Sequence, residues 1–551
     1  MKLWSKIALG SMTVLAAASL VACSSTGGGK SSDGGHVLTF GKPDGPQTNN
    51  SNPFLGTSAA SVQGYKYAIY ETLVQYSDVD PTQKPQGWLA TDWKWNENYT
   101  QVVFTIRDGV KWSDGKDLTA KDVAYSFNLI KKTASLNTQS LPFGDITVSG
   151  NKVTVNFDSN QYVHQSAVYG TIVVPEHIWK DQNAEKWTNQ KPVGSGPYTL
   201  TTWSTQGVTL ESNPDYWGGE VSVKKIRYIE YNDNTSLLSA MTSGKVDHGF
   251  VYIANYKTAW LDKNEANKAW YPSTLGNTTL FVNNEKGAFK DVNFRKAVST
   301  VIDRQQLAEQ GTTGASTPIK SVTGLPESGK AFISAEYEGK EFKTSLDDAK
   351  KILTDAGYTG VGTKDGLKDP SGAAVSVMLT DPAGWSDYDA ELQLIGSEIQ
   401  SLGAKVEVQN PTYDTWNDQI AKGNFDAALH WTDSGFTPYN IYLDSMDASF
   451  YKPIGESATY NFGRFKNDEA SAAIKDYENA TTDEQRTKAL ATIEKVYVEQ
   501  VPVIPVLEVP VWGNYTERYY TGWPTKEDPY TSINMTTPAE TLVLTKLKAV
   551  K

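Results

Sequence analysis

The apolar positions of the chain change period several times, and those changes divide it into strands, turns and helices. Between Trp88 and Ile130, the β-branched and aromatic run Val102-Val103-Phe104-Thr105-Ile106 predicts a strand. Asp108-Gly109 and Asp114-Gly115 are turn signals on either side of Val110-Lys111-Trp112. Thr119 then opens a helix. Thr119-Ala120-Lys121-Asp122 is a capping box with Asp in place of Glu, and Val123, Phe127 and Ile130 follow at helical spacing. Nearer the start, residues 37–40 predict a strand, a Gly/Pro/Asn-rich loop runs to Pro53, and a helical segment holds Tyr65, Tyr67, Tyr70 and Leu73. Further on, strand-like runs at 278–282, 374–379, 405–409 and 427–431 alternate with helical patterns at 292–310 and 387–402. That alternation predicts α/β units. In Pro192-Val193-Gly194-Ser195-Gly196-Pro197-Tyr198 a strand follows the glycines and no Lys-Ser/Thr does. They therefore predict a tight strand entry, with Gly supplying positive φ, and not a phosphate cradle.

The N-terminus has its own pattern. Lys2 and Lys6 precede an apolar, small-residue run at 7–21, too short for a membrane span and followed by no stop-transfer pattern. Residues 1–22 therefore read as a secretory signal. The run ends in Leu20-Val21-Ala22-Cys23, which resembles a bacterial lipobox and implies cleavage before Cys23 and lipidation of its thiol. Cys23 is the only cysteine of the chain, so it has no disulfide partner within it. Two or three acyl chains, at about 0.8 kcal/mol per buried methylene, hold a protein on a membrane durably. Residues 23–36 are Ser/Gly-rich and aperiodic, a flexible tether between that anchor and a globular body.

Composition narrows the function. The chain has 51 basic and 63 acidic side chains, a net charge of −12, and losing Lys2 and Lys6 with the signal makes it −14. Scattered acidic charge argues against nucleic acid. Roughly 500 residues remain for two or three lobes. Catalytic signals are missing from the sequence. The five histidines (His36, His164, His177, His248 and His430) are isolated, without metal-ligand spacing. There is no Gly-x-Ser-x-Gly and no Walker motif. No catalytic residue, metal or cofactor is expected. A glycosidase carboxylate pair is the one enzyme reading compatible with 16 Trp and 29 Tyr, which otherwise suit packing and aromatic ligand platforms.

Several runs are worded as in one family. Arg107-Asp108-Gly109-Val110-Lys111-Trp112-Ser113-Asp114-Gly115-Lys116, followed by Leu118-Thr119-Ala120-Lys121-Asp122-Val123-Ala124-Tyr125-Ser126-Phe127, closely resembles the signature of family 5 extracellular solute-binding proteins, the receptors of ABC importers for oligopeptides, dipeptides, nickel and oligosaccharides. The runs at 172–179, 192–198, 213–217, 243–247, 289–303 and 347–358 continue the resemblance in order, with the weakest coverage at 311–343. It implies an α/β, two-lobed periplasmic-binding-protein-like fold of type II, cluster C-like, with an extra subdomain in the first lobe. The expected layout is lobe I at 37–283 plus 508–551, with the inserted subdomain at about 77–190, and lobe II at 284–507. Two crossings are expected, near 280–284 and near 503–511, the latter stiffened by Pro502, Pro505 and Pro510. The implied function is a lipid-anchored receptor on the outer face of the bacterial cytoplasmic membrane. As a monomer it would deliver an oligosaccharide, or alternatively an oligopeptide, to ABC permease subunits. An adhesin or pheromone sensor on the same fold is the remaining class.

Ligand contacts in that family cluster in the second lobe. Trp385, Asp387 and Tyr388 lie between a strand and a helix, and Trp431 and Asp433 leave the strand at 427–431. Asn461 and Arg464 sit in the polar, aromatic run at 455–465. The first lobe is expected to add Asn52 and Phe54 of an Asn-Pro-Phe loop and Tyr70, and the second crossing Trp512. Peptide receptors of the family hold the ligand's α-amino group with an Asp in a context like Gly-Asp-Pro-Asp-Asn. Here the corresponding run is Phe436-Thr437-Pro438-Tyr439-Asn440, leaving only Asp433 upstream. The departure favours the oligosaccharide branch, since sugars offer CH faces that stack on Trp and Tyr and hydroxyls that need amide, carboxylate and guanidinium partners.

Overall fold

The opening stretch folds as its pattern dictates. Strand Gln101–Ile106 lies between Ala90–Trp95 and Lys152–Phe157 in a four-stranded antiparallel sheet completed by Phe143–Ser149. The turn glycines Gly109 and Gly115 have φ of +78° and +87°. Helix Ala120–Lys132 starts at Thr119, with both halves of the capping box made, and buries Val123 and Phe127 against Phe104 and the strands beside it. The structure is a computed structural model describing residues 35–45, 47–81 and 83–550; the expected signal and Cys23 lie outside them.

Two larger sheets carry the rest. One has seven strands in the order Asn267–Trp270, Gly513–Thr516, His248–Gly249, Leu38–Lys42, Lys225–Glu230, Gly207–Ser212 and Tyr198–Ser204. Its core holds Phe40, Tyr65, Tyr228, Trp179 and Trp523. The other has five strands in the order Lys405–Gln409, Ser376–Thr380, Ala427–Trp431, Ser273–Val282 and Ile504–Pro510. The first three of these are mutually parallel. Helix Ser386–Ser401 covers this sheet through Leu392, Ile395 and Ile399. The helical pattern expected over 292–310 is interrupted: helix Val292–Val301 ends before Arg304–Gln306, and a π-turn follows at Leu307–Gly311.

The passages between the two large sheets differ from the expected ones. Ser273–Val282 belongs wholly to the five-stranded sheet, paired from Ser273↔Pro510 to Leu280↔Ile504. The chain therefore changes sheet at 271–272 and again at 511–512, not at 280–284. Pro505 and Pro510 break nothing. They lie within the edge strand Ile504–Pro510, where a missing N–H is tolerated. Gly194 and Gly196 also serve another end than positive φ. A Cβ on Gly194 would stand 2.0 Å from the Ile69 carbonyl oxygen, and one on Gly196 2.6 Å from that of Ala68. These glycines let two backbones touch.

Candidate functional site

Three parallel strands of the five-stranded sheet release their loops along one edge, the usual place for ligand groups in α/β architectures. Ser376–Thr380 runs into Asp381–Trp385, and Ala427–Trp431 into the loop before helix Tyr439–Met446. The two loops bring Trp385 and Trp431 together, ring centroids 6.1 Å apart and planes 30° from parallel. Tyr413 extends the row at 5.6 Å from Trp385. Behind it His430 stacks on Trp431 at 4.1 Å and on the buried Trp416 at 5.3 Å. Burial holds the His430 imidazole down at about 4, so it is neutral and continues an apolar aromatic wall. Trp385 and Trp431 are half-buried, and Tyr413 is 45% exposed, so ring faces remain accessible.

Carboxylates flank this wall. The backbone N–H of Asp433 donates to Asp444 Oδ2 at 2.6 Å. Burial raises both carboxyls, and Asp433 raises Asp444 further. Beyond Trp385, burial lifts Asp387 to about 6, and burial with the neighbouring Asp389 lifts Asp381 to about 8. Asn410 donates to Asp389 at 2.7 Å and to Asp381. Asp387 itself turns back to accept from first-turn amides of its own helix. Tyr388 is buried, edge-on to Trp385 at 5.5 Å.

The seven-stranded sheet faces this wall with its own strand ends. Lys42 closes the strand Leu38–Lys42, pairs with Asp44 at 2.7 Å and stands 5.3 Å from the Phe250 ring. Asp44 acts electrostatically on Tyr413 of the wall. Asn234 Nδ2 donates to Ser386 Oγ at 3.2 Å, and Phe436 meets Tyr76 edge-to-face at 5.0 Å. At the two passages, Trp512 packs on Tyr252 at 5.4 Å and on Tyr271 at 5.3 Å. Trp385 and Trp431 thus stand side by side, with Asp433 two residues beyond Trp431, while Trp512 packs at the second passage on Tyr252 and Tyr271.

Five expected ligand residues are elsewhere. Asn52 Nδ2 is spent on the carbonyls of Ala184 and Trp187, at 2.8 and 2.9 Å, and its Oδ1 accepts from the Phe54 amide. Phe54 packs edge-on against Trp179 at 5.2 Å. Tyr70 is fully buried and accepts from Asn189 at 2.6 Å. Asn461 donates to the carbonyls of Asp447 and Phe465, and Arg464 to those of Phe462, Ala421 and Glu456. Each is a loop-stitching or core residue, because a buried loop must satisfy its own carbonyls. Sequence reading missed Tyr413 beside Trp385 and Tyr76 against Phe436. Only Tyr413 carried a signal, following a Pro-Thr turn one strand away from Trp385. Among the described residues no cluster of His, Cys, Asp and Glu is arranged to hold a metal ion, and no helix is long and apolar enough to cross a membrane.

Residues 84–452 match the bacterial extracellular solute-binding proteins, family 5 Middle. Among curated relatives, the probable D,D-dipeptide-binding periplasmic protein of Escherichia coli is 24% identical over 482 residues, 85% of this chain and 87% of that protein. The structure superposes on a periplasmic oligopeptide-binding protein of an oligopeptide ABC transporter from Thermotoga maritima with a TM-score of 0.83, at 23% identity over 93% of this chain and 99% of that one. The mannohexaose-bound form of the same protein gives 0.79, at 23% identity over 93% and 98%. The oligopeptide-binding protein AppA of Bacillus subtilis, in complex with a nonapeptide, gives 0.75, at 21% identity over 94% and 99%.

Proposed function

The chain belongs to the family 5 bacterial extracellular solute-binding proteins, and from that premise we propose that it captures an oligosaccharide between its lobes. It is a substrate-binding protein of an ABC importer and not an enzyme. The observation that carries the ligand class is the aromatic row Tyr413, Trp385 and Trp431 at the strand ends of the five-stranded sheet. Pyranose rings stack their CH faces on such a row, and Asp433 and the Asn410–Asp389 pair at its margins accept and donate to hydroxyls. The mannohexaose-bound neighbour supports the reading, since a protein of this fold takes an oligosaccharide. Trp512, at the second passage, is the ring expected to close on the ligand from the hinge side, by a shape change that a permease reads.

A peptide is the second reading, supported by the peptide-binding relatives and by the Asp433–Asp444 pair, whose Asp444 is buried and which suits an ammonium group. Cys23 is the proposed lipid anchor, holding a monomer at the outer face of the cytoplasmic membrane beside its permease subunits. The experiment that tests the ligand class is mass spectrometry of small molecules released by denaturing protein purified from its native host. Hexose oligomers support the reading, and peptides alone overturn it.

A further inference from the structure

The four-stranded sheet sends one short segment into a core beside the five-stranded sheet. After strand Lys152–Phe157 the chain makes a 3₁₀ turn at Tyr162–His164. It then returns to its own subdomain, where Val168 and Tyr169 join the core around Phe104 and Val123. The base of the segment is fixed there: the Asp158 amide donates to the Pro142 carbonyl at 2.8 Å, and the Gln161 amide to that of Tyr99 at 2.9 Å. The tip points the other way. Val163 is 5% exposed and clusters with Trp416, Tyr439, Ile474 and Tyr477. Every other buried member of that cluster, among the described residues, lies between Phe281 and Val503. Polar contacts seal the entry. Asn160 Nδ2 donates to the Ala480 carbonyl at 3.1 Å, just past helix Asp468–Asn479. Asn160 Oδ1 accepts from the Tyr162 amide at 2.7 Å and so shapes the turn. The Arg486 guanidinium lies 3.9 Å from the centre of the Tyr162 ring and donates to the same Ala480 carbonyl at 3.0 Å. His164 meets Tyr439 edge-on at 5.4 Å.

Resting on the reading that the lobes move about the passages at 271–272 and 511–512, we propose that the segment 160–164 is a latch, which docks into the opposite lobe only in the closed form and sets the balance between closed and open states. The segment reaches that lobe away from both passages, so a motion about them must draw Val163 out of the core it fills. Exposing a buried valine side chain shifts an equilibrium by roughly tenfold or more. Opening also strips the Ala480 carbonyl of its Asn160 donor and the Tyr162 ring of its cation. All the partners belong to this chain, so the contact needs no ligand to form it. A ligand bound by the closed form gains affinity in proportion to the population of that form, whatever its own chemistry.

The test measures the distance between two spin labels by pulsed double resonance. The labels sit on Val148→Cys, in the four-stranded sheet, and Ile454→Cys, in the other lobe, both exposed positions. Cys23→Ser removes the native thiol, and refolding removes bound small molecules, so the measurement does not depend on which ligand the protein takes. The labelled protein with its native latch is expected to show a short and a long distance. Asn160→Asp keeps the acceptor for the Tyr162 amide but sets a carboxylate against the Ala480 carbonyl. Val163→Glu puts a charge where the core closes. In each, the ratio of short to long is expected to fall roughly tenfold or more. Neither residue belongs to the core of its own subdomain, and the two act on different contacts, so the test survives poor folding of one variant. A native latch that is wholly closed, with both variants opening, also upholds the inference. Two distances with a ratio unchanged in the variants, or a native latch that is wholly open, overturns it and leaves the lobe motion intact. One and the same distance in all three proteins overturns both.

Discussion

Glu71 is the buried charge on which the first lobe's signature runs converge. Its carboxylate accepts from Trp88 Nε1 at 2.7 Å, Tyr216 OH at 2.9 Å, Trp217 Nε1 at 3.0 Å and Ser195 Oγ at 2.7 Å. Burial outweighs these donors and lifts its pKa from 4.5 to about 7. The folded protein then binds more protons than the unfolded chain between those values, so the stability contributed by the protonated form is present below 4.5 and lost as pH rises through 7. Over pH 5 to 8 the loss is about 2–3 kcal/mol. Glu71→Gln cannot titrate. In chemical denaturation at both pH values, the stability difference between variant and wild type is expected to move by that amount in the variant's favour from pH 5 to 8. Asp381, Asp387 and Glu398 titrate alike in both proteins and cancel. A difference independent of pH, or one moving the other way, refutes the reasoning and means that the four donors hold the carboxylate charged.

Other predictions follow from the geometry. Cys23→Ser should release the protein from membrane to medium, read by fractionation; retention on the membrane contradicts the anchor. Small-angle scattering should give a smaller radius of gyration with a true ligand than without, and identical values contradict lobe closure. Arg464→Met strands the carbonyls of Ala421, Glu456 and Phe462. At about 1–3 kcal/mol for each buried group left unpaired, it should lower the denaturation midpoint while leaving ligand affinity of the folded protein unchanged. A loss of affinity without loss of stability would return Arg464 to the site.

What the sequence revealed depended on how local the cause was. The cap Thr119/Asp122 and the strands Lys405–Gln409 and Ala427–Trp431 were legible because capping and alternation act over a few residues. Trp385 and Trp431 were legible as a pair because parallel strands release their loops on one edge. Asn52, Asn461 and Arg464 look like ligand groups in a sequence, since nothing local tells which carbonyl a buried amide or guanidinium will meet. The passages between sheets were misplaced because the pairing of Ser273–Val282 joins it to a strand more than two hundred residues on. The contact of Tyr76 with Phe436 was invisible for the same reason, since the two come together only in the fold.

The central claim is that a sugar binds on the aromatic wall. Isothermal titration of an oligosaccharide panel and a peptide panel into wild type, Trp385→Ala, Trp431→Ala and Asp433→Asn tests it most directly. The account predicts oligosaccharide binding that weakens by about 1–3 kcal/mol, roughly ten- to a hundredfold, on loss of either ring. Micromolar or tighter binding of peptides with free amino termini, abolished by Asp433→Asn and little changed by Trp431→Ala, would contradict it.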